Sequence, residues 1–261
     1  MKNKIIIFLS LIALVIIFYF SLPNNKAKVV VCDVGQGDAI LASYKNIQML
    51  FDVGPDNKKV LKCLENNLPF WDKTIEVVIL THGDSDHIGG LSDLLRSYKV
   101  DRFFSNGLLG GEIEQKIYSQ NLSQNDVISI GLFEFEVVSP VKMVENINDT
   151  NENSIVGILS YKSWSMFMSG DVDKETEQRL VWRQTVVDKV DVLKVSHHGS
   201  ETATSGEILG ILKPKVAVIS VGENNRFDHP REEVLERLKN AGATLRRTDE
   251  EGDIVFNLFD Y

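Results

Sequence analysis

The sequence predicts an α/β fold in which two β-sheets are flanked by helices, preceded by one N-terminal transmembrane helix. Short runs of β-branched and apolar residues alternate with amphipathic segments of helical spacing, and the second half of the chain repeats this alternation. An uncharged apolar run near the N-terminus predicts the transmembrane helix. The 261 residues are enough for one or two domains. We therefore expect an anchor with a short linker at residues 1–26 and one globular domain at residues 27–261.

The composition excludes several classes of protein. The chain is 43% hydrophobic and 25% charged, which is ordinary for a globular protein and rules out a disordered, collagen-like or low-complexity chain. Its formal net charge of −9 argues against a dedicated nucleic-acid-binding protein, but leaves room for an enzyme that contacts nucleic acid in one local groove. The two cysteines, Cys32 and Cys63, are too few for a disulfide framework and lack metal-ligand spacing. Cys32 lies in an apolar run, where a cysteine is usually a small core residue.

Residues 5–22 form an apolar run without a charged side chain. An α-helix of this length spans ~27 Å, which is enough to cross the hydrocarbon core of a bilayer. Lys2 and Lys4 precede the run and predict a cytoplasmic N-terminus, so the rest of the chain is expected on the extracytoplasmic side. A cleaved signal peptide is the alternative interpretation, although such apolar regions are usually shorter and residues 21–28 contain no convincing cleavage site.

Periodicity places the other elements in order along the chain. Alternating or continuous apolar runs predict strands at 29–32, 39–43, 47–51, 76–80, 102–104, 127–130, 133–138, 154–159, 165–168, 191–195, 216–221, 244–247 and 253–258. Helical spacing predicts helices at 58–66, 90–98, 174–183 and 205–212. A further helix is expected to open at His229-Pro230, because proline suits the first helical position and two glutamates follow in the first turn.

The segment 81–90, THGDSDHIGG, carries the strongest chemical signal in the chain. His82, Asp84, Asp86 and His87 are four potential metal ligands within six residues, directly after a predicted buried strand. Imidazole nitrogens and carboxylate oxygens in one tight loop can converge on a pair of divalent ions. The alternative is a polar strand-to-helix turn with capping aspartates, but two of only five histidines fall in this window, which favours the metal site.

The HxDxDHxGG motif resembles the first metal motif of the metallo-β-lactamase fold, and residues 29–260 resemble more closely the hydrolase domain of the ComEC competence proteins. The matching blocks, in order, are DVGQGDA at 33–39, FDVG at 51–54, SGD at 169–171, LKVSHHGS at 193–200, SVGENN at 220–225 and HP at 229–230. The resemblance implies an αββα sandwich with metals at one edge of the sheets, and thus a metal-dependent hydrolase domain at 27–261.

The resemblance also implies roles for single residues. It assigns Asp171 as the carboxylate that bridges two metal ions, the alternative being an N-cap of the helix predicted at 174–183. Neighbouring strand residues point to opposite faces, so we expect His197 to be a ligand and His198 to be catalytic or to support a ligand. His229 fits a mobile proton donor or a phosphate-contacting group, the alternative being a plain helix-start histidine. The expected metal ligands are His82, Asp84, Asp86, His87, Asp171 and His197, and the expected catalytic residues are Asp86, His198 and His229.

One departure from the wider fold affects the choice of metal. Many relatives have HxHxDH and a further histidine before the bridging aspartate, whereas here Asp84 replaces the middle histidine and residues 151–154 contain none. An oxygen-richer site favours harder ions, so we expect two divalent ions, Zn²⁺ or Mn²⁺, with a preference toward Mn²⁺. Asn153 could supply a carbonyl oxygen or only a hydrogen bond. Three further aspartates resemble family positions and are expected in turns or behind the ligands: Asp33, Asp38 and Asp52.

The reaction follows from the metals, since the chain has neither a Gly-x-Ser-x-Gly motif nor a phosphate-binding P-loop. Two metal ions favour in-line displacement at phosphorus. We therefore expect a membrane-anchored, extracytoplasmic phosphodiesterase or nuclease acting on DNA, with Lys194 and Arg226 near the rim of the site. The resemblance implies degradation of one strand during DNA uptake, although this chain, with one apolar segment, is not expected to translocate DNA itself. The alternatives are a hydrolase of cell-envelope phosphodiesters, lactones or β-lactams, and a non-catalytic metal-binding protein.

Overall fold

Two seven-stranded sheets face each other in this computed structural model, which describes residues 5–12, 14, 26–107, 109, 117–141, 151–183 and 189–259. The first sheet has the order β14-β1-β2-β3-β4-β5-β6. Its strands are β1 (Ala27–Val31), β2 (Ile40–Tyr44), β3 (Ile47–Phe51), β4 (Thr74–Leu80), β5 (Lys99–Ser105), β6 (Ser119–Asn121) and β14 (Ile254–Asn257).

The second sheet has the order β13-β12-β11-β10-β9-β8-β7. Its strands are β7 (Val127–Ile130), β8 (Phe133–Ser139), β9 (Val156–Tyr161), β10 (Trp164–Met168), β11 (Val192–Lys194), β12 (Val216–Ile219) and β13 (Thr244–Arg247). The α-helices of the described globular part are α1 (Lys59–Asn67), α2 (Ser85–Ile88), α3 (Leu91–Ser97), α4 (Lys174–Trp182), α5 (Gly206–Leu212), α6 (Glu232–Asn240) and α7 (Thr248–Glu251).

Alternation of side chains along the strands creates four layers. In β1, Val29 and Val31 enter the core between the two sheets, whereas Val30 packs on the outer face with residues of α1 and α3. Phe51 of the first sheet meets Phe135 of the second edge to face, with ring centroids 4.8 Å apart. The outer face of the second sheet packs against α4, α5 and α6. The predicted α/β architecture with two sheets between helices is therefore confirmed.

The strand directions bring the polar motifs to one edge of the sandwich. β3 and β4 are parallel, and so are β10, β11 and β12. The carboxyl ends of parallel strands meet at the same sheet edge, which is where ligands bind in open α/β sheets. The segments that follow these strands are 52–54, 81–84, 169–171, 195–200 and 220–225. The sequence blocks singled out above are thus neighbours in space.

Several predicted boundaries need correction. The strands at 47–51, 127–130 and 244–247 have the expected bounds, but the strand expected to reach residue 195 ends at Lys194. The helix expected to open at His229-Pro230 begins at Glu232 instead. The side chain of Asn225 accepts a hydrogen bond from the backbone N–H of His229 and donates one to its carbonyl, so this residue belongs to the preceding loop.

Half of the predicted transmembrane run falls outside the described residues. Residues 5–12 and 14 are helical with exposed side chains, and residues 13 and 15–22 are among those not described. Within the described part of the chain, no helix combines the length and the apolar character that a bilayer crossing requires. The anchor stays a prediction.

A disulfide joins Cys32, just after β1, to Cys63 in α1. Both cysteines are buried, their Cα atoms are 5.8 Å apart, and the bridge closes a segment with a sequence separation of 31. The prediction that Cys32 is a core residue is confirmed by its burial. Two cysteines alone do not predict a disulfide, so this bond was not expected from the sequence. The bridge attaches α1 covalently to the sheet that it covers.

We expect the double variant Cys32→Ala/Cys63→Ala to lower the free energy of unfolding by about 2–4 kcal/mol, because the open chain regains the loop entropy that the bridge removes. Urea denaturation followed by circular dichroism measures the change. Added reductant should destabilise the wild type toward the variant and leave the variant unaffected. A wild type as sensitive to urea as the double variant, in the absence of reductant, would contradict the prediction.

Candidate metal centre

Three buried imidazole rings converge on the carboxylate of Asp171. The Nε2 atoms of His87 and His198 lie 3.3 Å and 3.2 Å from Asp171 Oδ2. The ring of His82 lies against that of His87, with centroids 4.1 Å apart. One group of donor atoms within 4.8 Å of one another comes from His82, His87 and Asp171, and another comes from Asp86, His87 and His198. The structure thus brings together ligand atoms from three separate sequence motifs.

Tight backbone contacts hold the motif loops in place. His82 follows β4 directly, and the short helix α2 presents Asp86 and His87. The carbonyl of Asp86 accepts a hydrogen bond from the N–H of Asp38 at 3.2 Å. A Cβ at Gly37, where φ is +134°, would lie 2.1 Å from that same carbonyl oxygen, so only glycine fits there. The loop at 33–39 and the HxDxDH loop are therefore interlocked through backbone atoms.

The other nitrogen of each ring, Nδ1, has a partner that accepts a hydrogen bond. His87 Nδ1 donates to Asp52 Oδ2 at 2.8 Å, and His198 Nδ1 donates to the carbonyl of Ser220 at 2.8 Å. His82 Nδ1 lies 3.0 Å from the hydroxyl of Thr81, which itself donates to Asp52 at 2.7 Å and so accepts from the ring. These partners assign the proton of each neutral ring to Nδ1 and leave Nε2 as a free electron pair.

The donor set fits divalent metal ions. Among the described residues, the Nε2 atoms of His82, His87 and His198 are all buried without a hydrogen-bond partner. An unpartnered buried nitrogen is costly, and three in one place require a ligand. Four carboxylates surround the rings, and they belong to Asp38, Asp52, Asp86 and Asp171. The ammonium of Lys194 pairs with two of them, Asp38 and Asp171. Such an excess of buried negative charge needs cations for compensation.

Protons compensate this charge when no metal does. Burial lowers the pKa of His198, but Asp171 and Asp86 more than reverse this effect and raise it to about 9. Burial likewise lowers the pKa of His87, while Asp171 and Asp52 hold it well above its usual value. Burial raises the pKa of Asp171, but the positive charges of His198 and His87 hold it well below its ordinary range. These directions show that the carboxylates favour positive charge beside the imidazoles, which a bound cation would also supply.

Two further groups are shifted by the same neighbours. Burial lowers the pKa of His82 to about 4, and the nearby His87 acts in the same direction. Burial raises the pKa of Asp86, but the proximity of His198 and the charge of His87 outweigh it and bring the value to about 2. At neutral pH His82 is a neutral ring and Asp86 is an anion, as metal ligands must be.

The expected order of the adjacent histidines is corrected by the structure. His198, not His197, lies in the donor cluster, and the Nε2 atom of His198 is 3.5 Å from Asp86 Oδ2. The prediction assumed a continuing strand, but β11 ends at Lys194 and the chain turns, with φ of +50° at His197 and +54° at His198. Left-handed backbone removes the alternation of faces on which the order was based. His197 lines the adjoining cavity.

The predicted position of Lys194 is also wrong. It was expected near the rim, but its side chain is only 1% exposed. Its ammonium lies 2.5 Å from Asp38 Oδ2 and donates to Asp171 Oδ1 at 3.3 Å. Because Lys194 binds Oδ1, the carboxylate of Asp171 is oriented so that Oδ2 faces the imidazoles.

The remaining predicted ligand, Asp84, lies at the edge of the cluster. Its Oδ2 is 3.8 Å from His82 Nε2, and its side chain is 41% exposed at the wall of the cavity. In the segment 151–154, which contains no histidine, Ser154 Oγ accepts the N–H of Asp171 at 3.4 Å. The backbone carbonyl of Asn153 accepts a hydrogen bond from the side chain of Asn106 at 3.0 Å.

A cavity of about 720 Å³ opens beside the donor cluster. Its walls are formed by Gln36, Gly83, Asp84, Ser85, Asp86, Asp171, His197, His198, Asn225, Arg226, Phe227 and His229. Burial lowers the pKa of His229 to about 4, and the neighbouring His197 and His198 act in the same direction. His229 and Arg226 both line this cavity, which agrees with their predicted position near the site.

Two residues that hold the imidazole rings in place were not predicted from the sequence. Thr81 and Ser220 orient imidazole rings, yet a threonine and a serine at strand ends look like ordinary turn residues. Asp52 was expected behind the ligands, and it does lie there. Phe227 gave one usable signal, because it is a large apolar side chain inside an otherwise polar loop at 223–228.

Comparison with known proteins agrees with this geometry. The chain is 30% identical over 274 residues to ComE operon protein 3 of Bacillus subtilis strain 168, an alignment that covers 92% of this chain and 34% of that protein. It is 29% identical to Competence protein ComA of Neisseria gonorrhoeae, covering 91% of this chain and 33% of that protein. The chain thus spans about a third of the length of these relatives.

The fold has solved counterparts. The metallo-beta-lactamase fold protein YhfI from Bacillus subtilis superposes with a TM-score of 0.61 at 13% identity, covering 88% of this chain and 99% of that one. The family model of the metallo-beta-lactamase superfamily matches residues 32–223, which is well over half of the chain. This protein belongs to the metallo-beta-lactamase superfamily.

Proposed function

We propose that this protein is a metal-dependent hydrolase that cleaves phosphodiester bonds in DNA. The observation that carries the proposal is the convergence of three partnerless imidazole nitrogens on Asp171, at the wall of an open cavity. The substrate class is proposed by analogy with the relatives, one of which is named a competence protein. The chain spans only about a third of those relatives, so DNA is a proposal for this chain and not a property carried over from them.

The donor atoms divide into two overlapping groups. His82, His87 and Asp171 would hold one divalent ion, and Asp86, His87 and His198 lie around the other position. Mn²⁺ or Zn²⁺ suits this mixture of nitrogen and oxygen donors, with the oxygen-rich side favouring Mn²⁺. When bound, such ions lower the pKa of water and stabilise negative charge on phosphate oxygens.

His229 is placed to handle a proton. Its Nδ1 is buried without a hydrogen-bond partner among the described residues, and its ring lines the cavity. The negative charge of a bound phosphodiester would raise the lowered pKa of this imidazole, because an opposite charge favours the protonated ring. His229 would then donate its proton to the leaving oxygen. Asn225 binds both backbone groups of His229 and fixes its position.

The disulfide supports an extracytoplasmic location. Stable disulfides form in oxidising compartments and are rare in the cytosol. The bond between Cys32 and Cys63 therefore agrees with the orientation that Lys2 and Lys4 predict for an anchored chain. The proposal is a domain tethered to the membrane by the apolar run at 5–22, with the cavity outside.

The reaction is tested by loading the full-length chain with Mn²⁺ or Zn²⁺ and measuring hydrolysis of bis(4-nitrophenyl) phosphate, single-stranded DNA and duplex DNA. We expect activity on the generic diester and on DNA, and its loss on chelation. Stoichiometric metal without hydrolysis of any phosphodiester would refute the proposal in favour of a binding protein or another ester class.

The adjacent histidines form a matched pair for the metal assignment. His198→Ala should lose at least one tightly bound divalent ion, because its Nε2 faces Asp86 and Asp171. His197→Ala should retain the wild-type metal content. Metal is measured by plasma mass spectrometry on protein with an unchanged unfolding curve. The reverse result, with His197→Ala losing metal, would restore the order expected from the sequence.

We expect His229→Ala to lower kcat for DNA by about 10²–10⁴-fold while metal content stays unchanged, because it removes the proton donor. The diester with the 4-nitrophenolate leaving group needs little protonation, so its hydrolysis should fall much less. Loss of metal in this variant would make His229 a ligand, and equal loss with both substrates would exclude proton donation.

Location is tested on spheroplasts that express the full-length chain. Added protease should cut the exposed linker near residue 27 and release the domain, since the anchor would hold the domain outside. A cytoplasmic reporter protein must stay intact as the control. Recovery of the uncut chain in the soluble cytoplasmic fraction would contradict an anchored, outward-facing domain.

A further inference from the structure

A row of planar side chains leads from the donor cluster to the mouth of the cavity. The ring of His197 meets that of His229 edge to face, with centroids 5.9 Å apart. The ring of His229 stacks with that of Phe227 at 5.7 Å and an interplanar angle of 24°. The guanidinium of Arg226 lies over the Phe227 ring, 4.7 Å from its centroid. All four side chains line the same cavity.

The loop that carries this row is held by one side chain. Asn225 donates to the carbonyls of Gly222 and His229 and accepts from the N–H groups of Phe227 and His229. These bonds close the turn and fix Phe227 relative to His229. Phe227 nevertheless remains 40% exposed and lines the cavity, so part of its side chain is accessible to a molecule bound there.

We propose that Phe227, with Arg226, binds an unpaired nucleobase, so that the substrate is single-stranded nucleic acid or a frayed strand end. This inference rests on the proposed phosphodiesterase function and names its substrate class. Aromatic rings and arginine planes are the usual platforms for unstacked bases, and they accept any base because every base has a π-face. A base inside a duplex is already stacked and paired, and it cannot reach a side chain on a cavity wall.

The position of the row relative to the donor cluster supports this occupant. Asp171, His229 and Phe227 line the same cavity, so a strand with one phosphate at Asp171 would present a neighbouring nucleotide to the row. Arg226 supplies a local positive charge on a protein whose overall charge is −9. Because long-range attraction to phosphates is weak on such a surface, contacts with the bases must supply a substantial part of the binding.

Base recognition can be measured without turnover. The full-length chain in EDTA is titrated against a fluorescein-labelled oligothymidylate and against an abasic strand of the same length, with binding read as fluorescence anisotropy. Both strands carry the same phosphates, so the ratio of their dissociation constants isolates the bases. We expect the wild type to prefer the thymidine strand by about 10-fold, within the range for one stacked base.

Phe227→Ala should abolish this preference, and Phe227→Trp should retain it. Phe70→Ala is the matched control, since Phe70 is 72% exposed and does not line the cavity, so its preference should equal that of the wild type. Equal dissociation constants for the two strands in the wild type, or an undiminished preference in folded Phe227→Ala, would overturn the inference. Hydrolysis of bis(4-nitrophenyl) phosphate tests the proposed function separately, so either can fail alone.

Discussion

The carboxylate of Asp52 stabilises the arrangement on which the donor cluster depends. Its Oδ1 accepts the backbone N–H of Thr81 at 2.7 Å, and its Oδ2 accepts both the Thr81 hydroxyl and His87 Nδ1. Through Thr81 the same carboxylate also orients His82. One buried anion at the end of β3 thus fixes two imidazole rings at the end of β4, and hydrogen bonds to a charged acceptor are the stronger kind. Two ligands share one support, so their relative positions are set together.

The second sheet contributes to the same centre through a separate set of contacts. Lys194 of β11 links Asp38, from the first sheet, to Asp171, from the second. Ser220 donates from its hydroxyl to the carbonyl of Gly37 at 2.7 Å, and its own carbonyl orients His198. The two sheets are therefore joined at the edge where the ligands lie, and not only through the apolar core between them. Rigid support of this kind fixes the positions and orientations of the side chains that would bind the metal.

The sequence was sufficient for the fold and for most of the donors, because both depend on local patterns. Alternating apolar runs reveal strands, and HxDxDH brings four donors into one turn whatever surrounds it. Which of His197 and His198 joins the donor cluster could not be predicted, because both residues adopt left-handed backbone that no local sequence pattern indicates. The burial of Lys194 was equally hidden, because its partners Asp38 and Asp171 are distant in sequence. The disulfide likewise depends on the packing of α1 against β1.

The spread of the donors along the chain has a consequence for biosynthesis. The HxDxDH loop leaves the ribosome early, but Asp171 and His198 follow about a hundred residues later, and Ser220 later still. Long-range contacts of this kind form slowly, after the entropy of closing the intervening loops has been overcome. On the metal assignment proposed above, a nascent chain that ends before β11 lacks one of the three imidazoles of the donor cluster. Tight metal capture would then be a late event that follows translation of nearly the whole domain.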